Sequence, residues 1–434
     1  MRVLLITPLF YPEPYYLRGL PFAKGLLERG VEVEVLTGFP NYPKGQIYPG
    51  YRMGLWRQEV VEGVRITRVP WYLSHDTSGL KRTLCYLSMA LSMALQGPLR
   101  APRVDLVHVN QGPATLCLPA DLLRVLRRVP YLLDVQDLWP ESVLDSNMLR
   151  LPAGARILQY WSNHTYKWAR HIITPSEGIR DRLVELGVRG RKVTVVHNWC
   201  DQSVEKPLPE RDACPDSYRL QGRFNIVYAG NFGPLQALPA IIEGMTLLQN
   251  SHPQIQFVLV GDGLDEGILK RAVEERRLRN VRFLPRKPPA ELNQILAYAD
   301  ALLVHLRDSP LNRVGIPSKV GYSLAAGRPI LIGARGSAPA LVARAQAGIA
   351  FEPENGPSLA AAARRLYEMP EEGRRALGYS GRKHYLEHLA FNIGMSKLVD
   401  VYHDVCTNNG THRQGRTGEH CSEGTGGDVR PFRA

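Results

Sequence analysis

Short apolar runs and helically spaced apolar positions alternate along most of the chain. Residues 3–6 form an apolar run stopped by Pro8, which predicts a buried strand. Residues 17–29 then place apolar side chains at helical spacing as far as Gly30, and residues 31–36 alternate as a second strand. A strand, a helix and a strand in this order predict a βαβ unit and therefore a parallel sheet.

The same alternation continues in two series separated by an aperiodic segment. The further strands are predicted over 105–109, 131–135, 171–174 and 192–196, and then over 224–228, 256–260, 281–284, 301–305, 329–332 and 348–351. Residues 201–222 are rich in Pro, Asp and Glu, which predicts a linker. We therefore expect two doubly wound, Rossmann-like α/β domains facing a cleft, over residues 1–200 and 223–380. A last helix is expected over 381–405, and the leucine-free tail 406–434 is expected to be disordered.

Composition narrows the class of protein. The 434 residues are 44% hydrophobic and 22% charged, which excludes a mostly disordered, collagen-like or coiled-coil chain. The net charge of +13 favours anionic partners, such as nucleotide phosphates or an anionic membrane surface. The 43 arginines are scattered, and the sequence contains neither a zinc-finger spacing nor a block of five Lys or Arg. We therefore do not expect nucleic acid to be a partner.

The spacing of the cysteines and the length of the apolar runs indicate the cellular compartment of the protein. None of the six cysteines forms a CxxC pair, which predicts reduced thiols in the cytosol. The residues after Met1 lack a cleavage site, so no secretory signal is expected. The sequence has no uninterrupted apolar stretch of the roughly 18 residues that a transmembrane helix needs. We therefore expect a cytoplasmic protein.

The loops that follow the strands of the second series carry the clearest candidate chemistry. Ligands of open α/β sheets bind beyond the carboxyl ends of the strands. The loops 230–236 and 261–263 follow such strands, and their glycines would let the backbone approach a phosphate. A tight turn without a ligand is the alternative for loop 230–236. Arg313 and Lys319 could neutralise a diphosphate while Ser318 donates to it, or this could be a solvated basic loop.

The first series also ends in polar side chains. Asp137, Trp139 and Glu141 follow an apolar strand and suit the binding of a polyhydroxyl compound. The alternative is that Trp139 packs in the core and Glu141 caps a helix. His197 and Asn198 follow another strand and could contact a ligand or form the hinge between the domains. The histidines lack metal-ligand spacing with other residues, so no metal site and no cofactor are expected.

Residues 79–100 are of a different kind. They begin with Lys81-Arg82 and continue with about a dozen largely apolar residues, too few to span a bilayer. This suits an interfacial helix on an anionic lipid surface, and packing into the core is the alternative. Through residues 81–95 we expect peripheral association with the inner face of the cell membrane.

Taken together, ordered motifs along residues 1–405 give the chain a family resemblance. The motifs are Thr7–Pro14, Gly38–Gly45, Ser74–Gly79, Gln136–Ser142, His197–Trp199, Tyr228–Gly233 and Ile316–Lys319. The chain resembles the GT-B-fold glycosyltransferases of the large retaining family four. It most resembles the bacterial branch that builds O-antigen, colanic acid and similar polysaccharides, which includes fucosamine transferases.

This resemblance implies a site and two substrates. A nucleotide sugar, usually a UDP-sugar, is expected on the C-terminal domain without a metal, and a lipid-linked saccharide acceptor on the N-terminal domain, onto which helix 381–405 crosses back. The donor-site candidates are Gly230, Asn231, Phe232, Gly233, Gln236, Gly261, Arg286, Pro317, Ser318, Tyr322 and Gly327. The acceptor-side candidates are Glu13, Arg18, His75, Trp139, Glu141, His197 and Asn198. As catalytic candidates, Arg313 and Lys319 stabilise the leaving diphosphate and Asp137 orients acceptor or sugar.

The chain departs from the family pattern at several positions. The loop after Gly233 is Pro234–Ala237, where the family usually has a basic residue and Gln-Gly, and Gln136 stands where it generally has histidine. The wider family has two glutamates with seven residues between them, where this sequence has Val314 and Tyr322. Two other functions therefore stay open beside retaining glycosyl transfer. One is a GT-B-fold sugar-nucleotide epimerase, and the other is a catalytically silent partner protein.

Overall fold

The computed structural model of the chain describes residues 1–15, 17–74, 79–139, 141, 152–209 and 216–414. The strands are β1 (Arg2–Ile6), β2 (Glu32–Gly38), β3 (Arg57–Val61), β4 (Val64–Val69), β5 (Leu106–Gln111), β6 (Tyr131–Val135), β7 (His171–Thr174), β8 (Val193–Val195), β9 (Phe224–Ala229), β10 (Ile255–Val260), β11 (Val281–Leu284), β12 (Ala301–His305), β13 (Ile330–Gly333) and β14 (Gly348–Phe351). The helices are α1 (Leu20–Leu27), α2 (Gly79–Arg100), α3 (Cys117–Arg127), α4 (Pro152–Trp168), α5 (Glu177–Glu185), α6 (Ile242–Ser251), α7 (Glu266–Glu275), α8 (Pro289–Ala297), α9 (Pro310–Val314), α10 (Ser318–Ala326), α11 (Ser337–Arg344), α12 (Gly356–Glu368), α13 (Glu371–His388) and α14 (Phe391–Gln414).

The strands form two separate sheets. The first has the order β3-β4-β2-β1-β5-β6-β7-β8, and the second has the order β11-β10-β9-β12-β13-β14. All pairs are parallel except β3 with β4. Strands such as β1 and β10 are largely apolar, apart from Arg2 and Gln256, because helices cover both faces of a parallel sheet. The expected class, two doubly wound α/β domains, is confirmed.

Strand β4, which pairs in parallel with β2, was not predicted from the sequence, and neither was the antiparallel strand β3. It lies at the edge of the first sheet, and its residues are half-buried or exposed. Its polar sequence, Arg57-Gln58-Glu59 followed by two valines, carries little of the apolar signal that marks the inner strands.

The C-terminal end differs from the sequence prediction in two ways. The single helix expected over 381–405 is in fact the end of α13 and most of α14, which are separated at Leu389 and Ala390. The chain turns there because both residues are buried and Leu389 caps α13. Helix α14 continues to Gln414, inside the segment expected to be disordered, and residues 415–434 of that segment lie outside the described residues.

Helix α14 packs against the first domain. Its residues Met395, Leu398 and Tyr402 are buried in one hydrophobic cluster with Phe22 and Trp199. A Cβ added at Gly394 would lie 2.4 Å from the Trp199 ring, so the helix backbone sits directly on that indole. Helix α14 therefore contributes part of the hydrophobic core of the first domain.

The segment 201–222, expected to be a linker, is docked between other elements. Phe391 N–H donates to Glu205 Oε1 at 2.9 Å, and Arg382 Nη2 donates to the Glu205 carbonyl at 2.6 Å. Leu220 is buried beneath the second sheet. Residues 210–215 lie outside the described part of the chain.

Candidate functional site

A cleft of about 650 Å³ lies at the carboxyl ends of β9 and β10 and along α10, and residues 201–208 form one of its walls. Seven of the predicted donor-site and catalytic residues line it, namely Gly230, Asn231, Gly261, Arg286, Ser318, Lys319 and Tyr322. Parallel strands end at one edge of a sheet, so loops distant in sequence meet there. The cleft has the volume of a small-ligand site.

Two glycine turns form the floor of this cleft. Gly230 has φ +142° and Gly261 has φ +148°, values that side chains rarely permit. A Cβ at Gly261 would lie 1.9 Å from the Gly230 carbonyl oxygen, and a Cβ at Gly230 would lie 2.5 Å from Lys319 Cε. The two turns and the lysine therefore pack against one another with no room for a side chain.

Lys319 is the central cation of the cleft. It lies in the first turn of α10, where Pro317 is the N-cap residue and provides no side-chain cap. Its Nζ contacts the Tyr228 hydroxyl and lies 4.0 Å from the centre of the Tyr228 ring. Burial lowers the pKa of Lys319 to about 7. A bound anion would restore the charged form, and the first amides of α10 add partial positive charge.

Arg286 and Asp262 form a bidentate pair at the rim of the cleft. The Arg286 Nε and Nη2 donate to the two carboxylate oxygens of Asp262 at 2.9 and 2.7 Å. The hydrogen-bonded partner raises the pKa of Arg286 and lowers that of Asp262. This pair joins the loop after β10 to the loop after β11 and keeps a second cation beside the cleft.

Arg313 does not join Lys319, contrary to the sequence prediction. Its Nε and Nη2 donate to the Asp308 carboxylate at 2.6 and 2.8 Å, and its side chain is 52% exposed. It is not among the residues that line the cleft. Arg313 lies in the last turn of the short helix α9, and the extended backbone at Gly315 and Pro317 then turns the chain before Lys319.

Five other donor-site candidates do not line the cleft. Phe232 is 1% exposed and packs against Tyr228 and Phe283. A Cβ at Gly233 would lie 2.5 Å from Asn231 Nδ2, and Gln236 Oε1 accepts from that nitrogen at 3.4 Å. Phe232, Gly233 and Gln236 therefore stabilise the conformation of loop 230–236 through these contacts. Pro317 is the N-cap of α10, and Gly327, with φ +66°, is its C-cap.

The candidates after β6 have separate environments. Asp137 is exposed, and desolvation by the surrounding protein raises the pKa of its carboxyl group. Trp139 is half-buried and meets Tyr86 of α2 edge to face, with ring centres 6.3 Å apart. Glu141 pairs with Arg182 of α5 at 3.4 Å. Ligand binding by these residues stays a prediction, because Trp139 is half-buried and residues 142–151 after Glu141 lie outside the described residues.

Glu13 and Arg18 are buried instead of lining an acceptor surface. The Glu13 carboxylate accepts from the backbone N–H groups of Phe10, Asn41 and Tyr42 at 2.9–3.0 Å, which ties two loops together. The Arg18 side chain is 0% exposed and pairs with Asp134. Burial of a charge requires such partners, and the sequence pattern did not reveal them. Neither side chain can contact a ligand in this conformation.

His197 and Asn198 lie where the chain leaves the first domain. His197 Nδ1 is 2.9 Å from the Pro175 carbonyl oxygen, and Asn198 Nδ2 donates to Gln136 Oε1 at 2.7 Å. Burial lowers the pKa of His197. These contacts favour the hinge over direct ligand contact. The remaining acceptor-side candidate, His75, lies outside the described residues.

Sequence reasoning missed part of the cleft. Tyr228, the last residue but one of β9, does not line the cleft itself, but its hydroxyl contacts Lys319, and this support was not predicted. Ser203 and Lys206 line the cleft from the segment treated as a linker, and no periodic signal marks them. Among the described residues, no group of three His, Cys, Asp or Glu could hold a metal ion.

Two family models match consecutive parts of the chain. The model described as "Glycosyl transferase 4-like domain" matches residues 20–199. The model described as "Glycosyl transferases group 1" matches residues 212–384, which contain Lys319 and both glycine turns of the cleft.

Relatives and solved structures agree with these matches. WbjE of Pseudomonas aeruginosa, named as a glycosyltransferase, is 29% identical over 258 residues, which are 58% of this chain and 63% of WbjE, less than two thirds of it. WcaI of Escherichia coli K12, named as a colanic acid biosynthesis glycosyl transferase, is 28% identical over 376 residues, which are 82% of this chain and 89% of WcaI. The structure of Anabaena Alr3699/HepE in complex with UDP has a TM-score of 0.64 at 15% identity, covering 93% of this chain and 100% of that chain.

The order of the two matched models along the chain is the order of the two sheets. The first sheet and the loops at its carboxyl edge fall mainly within the first match. The second sheet falls within the second match, together with the cleft except for its wall 201–208. The fold likeness to HepE extends over both domains. The chain therefore consists of two consecutive domains that match glycosyl transferase models, and it has the two-domain fold of the GT-B glycosyltransferases.

Proposed function

We propose that the chain transfers a sugar from a UDP-sugar to a lipid-linked saccharide in the synthesis of a bacterial surface polysaccharide. The observation that carries this proposal is the cleft in which Lys319 faces the glycine turns Gly230 and Gly261. Support for the donor comes from the HepE structure, which contains UDP. Support for the product class comes from WcaI, named for colanic acid biosynthesis. Specificity for fucosamine remains a prediction.

The chemistry assigned to the cleft is stabilisation of the leaving diphosphate. Breaking the bond from the anomeric carbon to the diphosphate leaves negative charge on the phosphate oxygens, and preorganised donors lower the energy of that state. Lys319, the first amides of α10 and the rim cation Arg286 supply those donors. Asp137, after β6, would orient the acceptor or the sugar. Transfer is proposed to retain the anomeric configuration by front-face attack, and no side chain is assigned as a nucleophile.

Product analysis separates this proposal from the two alternatives. Purified protein is incubated with a panel of UDP-sugars, with and without membrane lipid extract that contains saccharide-loaded carriers. A transferase forms UDP and glycosylated lipid only when the acceptor is present. A sugar-nucleotide epimerase converts the donor without acceptor, and a silent partner protein changes neither compound.

Donor binding should take up a proton at mildly alkaline pH. Because the pKa of Lys319 in the empty site is about 7, the side chain is mostly neutral at pH 8, and a diphosphate raises this pKa again. We expect uptake approaching one proton per UDP-sugar at pH 8, nearly none at pH 6, and weaker binding as the pH rises above 7. Calorimetry in two buffers of different ionisation enthalpy measures this uptake. Lys319→Arg should abolish it, and equal uptake in that variant would place the proton elsewhere.

Transfer should not depend on a divalent metal. The positive charge that the diphosphate needs is supplied by Lys319 and by the N-terminus of α10. We expect the rate with EDTA to stay within about twofold of the untreated rate. If a metal ion stabilised the leaving diphosphate, its removal would lower the rate by far more than twofold. Loss of transfer in EDTA that manganese restores would contradict this assignment.

Helix α2 supports a further part of the proposal, peripheral attachment to an anionic membrane. One face packs into the core through Met89 and Met93, while Leu87, Leu91 and Leu95 on another face are 43%, 53% and 70% exposed. The face with Met89 and Met93 fits the core-packing alternative for residues 79–100, and the exposed leucines on the other face support the interfacial alternative. No helix in the described part of the chain is long and apolar enough to cross a bilayer.

The surface around the end of α2 extends this apolar face. Gln96 Nε2 donates to the Leu55 carbonyl at 2.6 Å, which brings the exposed Leu55 and Trp56 beside the helix. The Arg100 guanidinium lies 3.9 Å from the centre of the Trp56 ring. Exposed leucines, a tryptophan and an arginine together suit the interface of an anionic bilayer.

Flotation with anionic vesicles tests the attachment. Leu87→Glu/Leu91→Glu adds two charges to the exposed face and leaves the core residues unchanged, so we expect most of the vesicle-bound fraction to be lost. The matched control is Leu247→Glu/Leu386→Glu, two leucines of the second domain that are 45% and 42% exposed. Equal flotation of the two variants would show that the membrane contact lies elsewhere.

A further inference from the structure

A second concavity, of about 1000 Å³, lies at the amino ends of β6, β7 and β8. The acceptor candidate Asp137 follows the opposite, carboxyl end of β6. A strand of five residues spans roughly 15 Å, so the length of β6 separates this concavity from the carboxyl edge of the sheet. Neither of the proposed substrates is assigned to it.

Cationic side chains from three elements line this concavity, which we call the basic pole. They are Arg124 and Arg128 at the end of α3, Lys167 and Arg170 at the end of α4, and Arg189, Arg191 and Lys192 in the turn before β8. Among the described residues that line it, one carboxylate, Asp404 of α14, opposes these seven cations. The lining also contains His171, whose pKa is lowered by burial.

Helix dipoles offset only part of this charge. The carboxyl ends of α3 and α4 point to the basic pole, and each carries a partial charge equivalent to about −0.5. With Asp404 the opposing charge is therefore about −2, against seven cations. The net positive charge of about +5 is larger than the charge needed to compensate the two helix ends. It is concentrated in one concave surface.

The wall of the basic pole is held in place by specific contacts. Lys192 Nζ donates to the carbonyl oxygens of Tyr166 and Lys167 at 2.6 and 2.8 Å, which fixes the turn against the end of α4. The Arg124 guanidinium lies 4.5 Å from the centre of the Trp168 ring. Burial, and then the charges of neighbouring arginines, lower the pKa of Lys192 to about 8.

Two arginines of the turn before β8 are available to a ligand. Arg189 and Arg191 are exposed, and neither forms an ion pair with any residue that the structure describes. Guanidinium groups present paired N–H donors that match phosphate oxygens. A ligand with one negative charge would leave most of the excess uncompensated, whereas adjacent phosphates would match it better.

We propose that the basic pole is a second anion site, distinct from the donor cleft, that binds a group carrying two or more phosphates. Such a group can be a soluble polyphosphate or the headgroup of a diphosphate-bearing anionic lipid. Both present the same chemistry to the arginines, and binding should weaken with rising salt as expected for phosphate contacts. The proposal does not depend on the identity of the transferred sugar.

Calorimetry with inorganic tripolyphosphate tests the site directly, with UDP present at saturation to keep the probe out of the donor cleft. We expect Arg189→Ala/Arg191→Ala to weaken binding at least tenfold. The control Arg364→Ala/Arg365→Ala removes the same charge from two exposed positions of α12 and should bind as the wild type does. Equal affinities of the two double variants, or no saturable binding by the wild type, would overturn the proposal.

A second arm distinguishes the source of the phosphate. Vesicles containing diphosphatidylglycerol are compared with neutral vesicles in the Leu87→Glu/Leu91→Glu background, which removes the proposed contribution of α2. Additional loss of binding with Arg189→Ala/Arg191→Ala, but not with the α12 control, assigns a lipid headgroup. Loss of tripolyphosphate binding alone assigns a soluble ligand. UDP affinity measured on the same samples should be unchanged, so failure of the donor site and failure of this site are distinguishable.

Discussion

Lys319→Ala is expected to lower kcat/KM for transfer from a UDP-sugar by about 10²–10³, the usual consequence of removing one donor from a charge-stabilising site. The side chain is packed between Gly230 and Tyr228, so water that replaces it cannot supply a fixed positive charge. UDP affinity should fall as well, by roughly 1.5–3 kcal/mol for the loss of a charged hydrogen bond. Steady-state kinetics and calorimetry measure the two effects.

The matched control is Lys270→Ala. Lys270 is an exposed lysine of α7 that pairs with Glu266 one turn earlier and does not line the cleft. Its loss should leave kcat/KM within about twofold of wild type, since exposed pairs of this kind contribute little. If Lys319→Ala and Lys270→Ala behave alike, Lys319 does not stabilise the leaving group.

Gly261→Ala is expected to disrupt the two glycine turns that form the floor of the cleft. The added Cβ would lie 1.9 Å from the Gly230 carbonyl oxygen, at a backbone φ of +148°. Because the obstacle is backbone, one of the two turns must move, at a cost of roughly 1–3 kcal/mol for the strained conformation and more for the clash. We expect UDP affinity to fall at least tenfold, together with a drop of about 3–10 °C in the Tm of the second domain.

Gly267→Ala is the corresponding control. Gly267 lies in α7, six residues further along, and a Cβ there meets nothing within 4 Å. Alanine in a helix is favoured over glycine by roughly 0.5–1 kcal/mol, so stability should rise slightly and UDP affinity should not change. Unchanged UDP affinity in Gly261→Ala would show that the contact between the two turns does not shape the donor site.

The sequence predicted most of the framework of this protein because buried parallel strands are marked by uninterrupted apolar runs. Residues 3–6 of β1 and 257–260 of β10 are such runs, and reading the residues that follow the predicted strands located the loops after β9 and β10. The same logic reached Gly230, Gly261 and Lys319. The edge strand β3 escaped because one side of an edge strand faces solvent and its residues are mixed.

Side-chain direction was harder to predict than position. Arg313 lies six residues before Lys319, yet the end of α9 and an extended turn separate them, and Asp308 holds the guanidinium elsewhere. Arg18 follows the loop after β1, at the carboxyl edge of the sheet. Its side chain is nevertheless buried, because it pairs with Asp134, which is distant in sequence. Such pairings depend on tertiary contacts that local patterns do not encode.

The most direct test of the donor site is a crystal structure of the protein with UDP. The account predicts the diphosphate beside Gly230, with an oxygen of the β-phosphate within hydrogen-bond distance of Lys319 Nζ and others facing the first amides of α10. A diphosphate bound at Arg313 and Asp308, or UDP seated on the first domain, would contradict it.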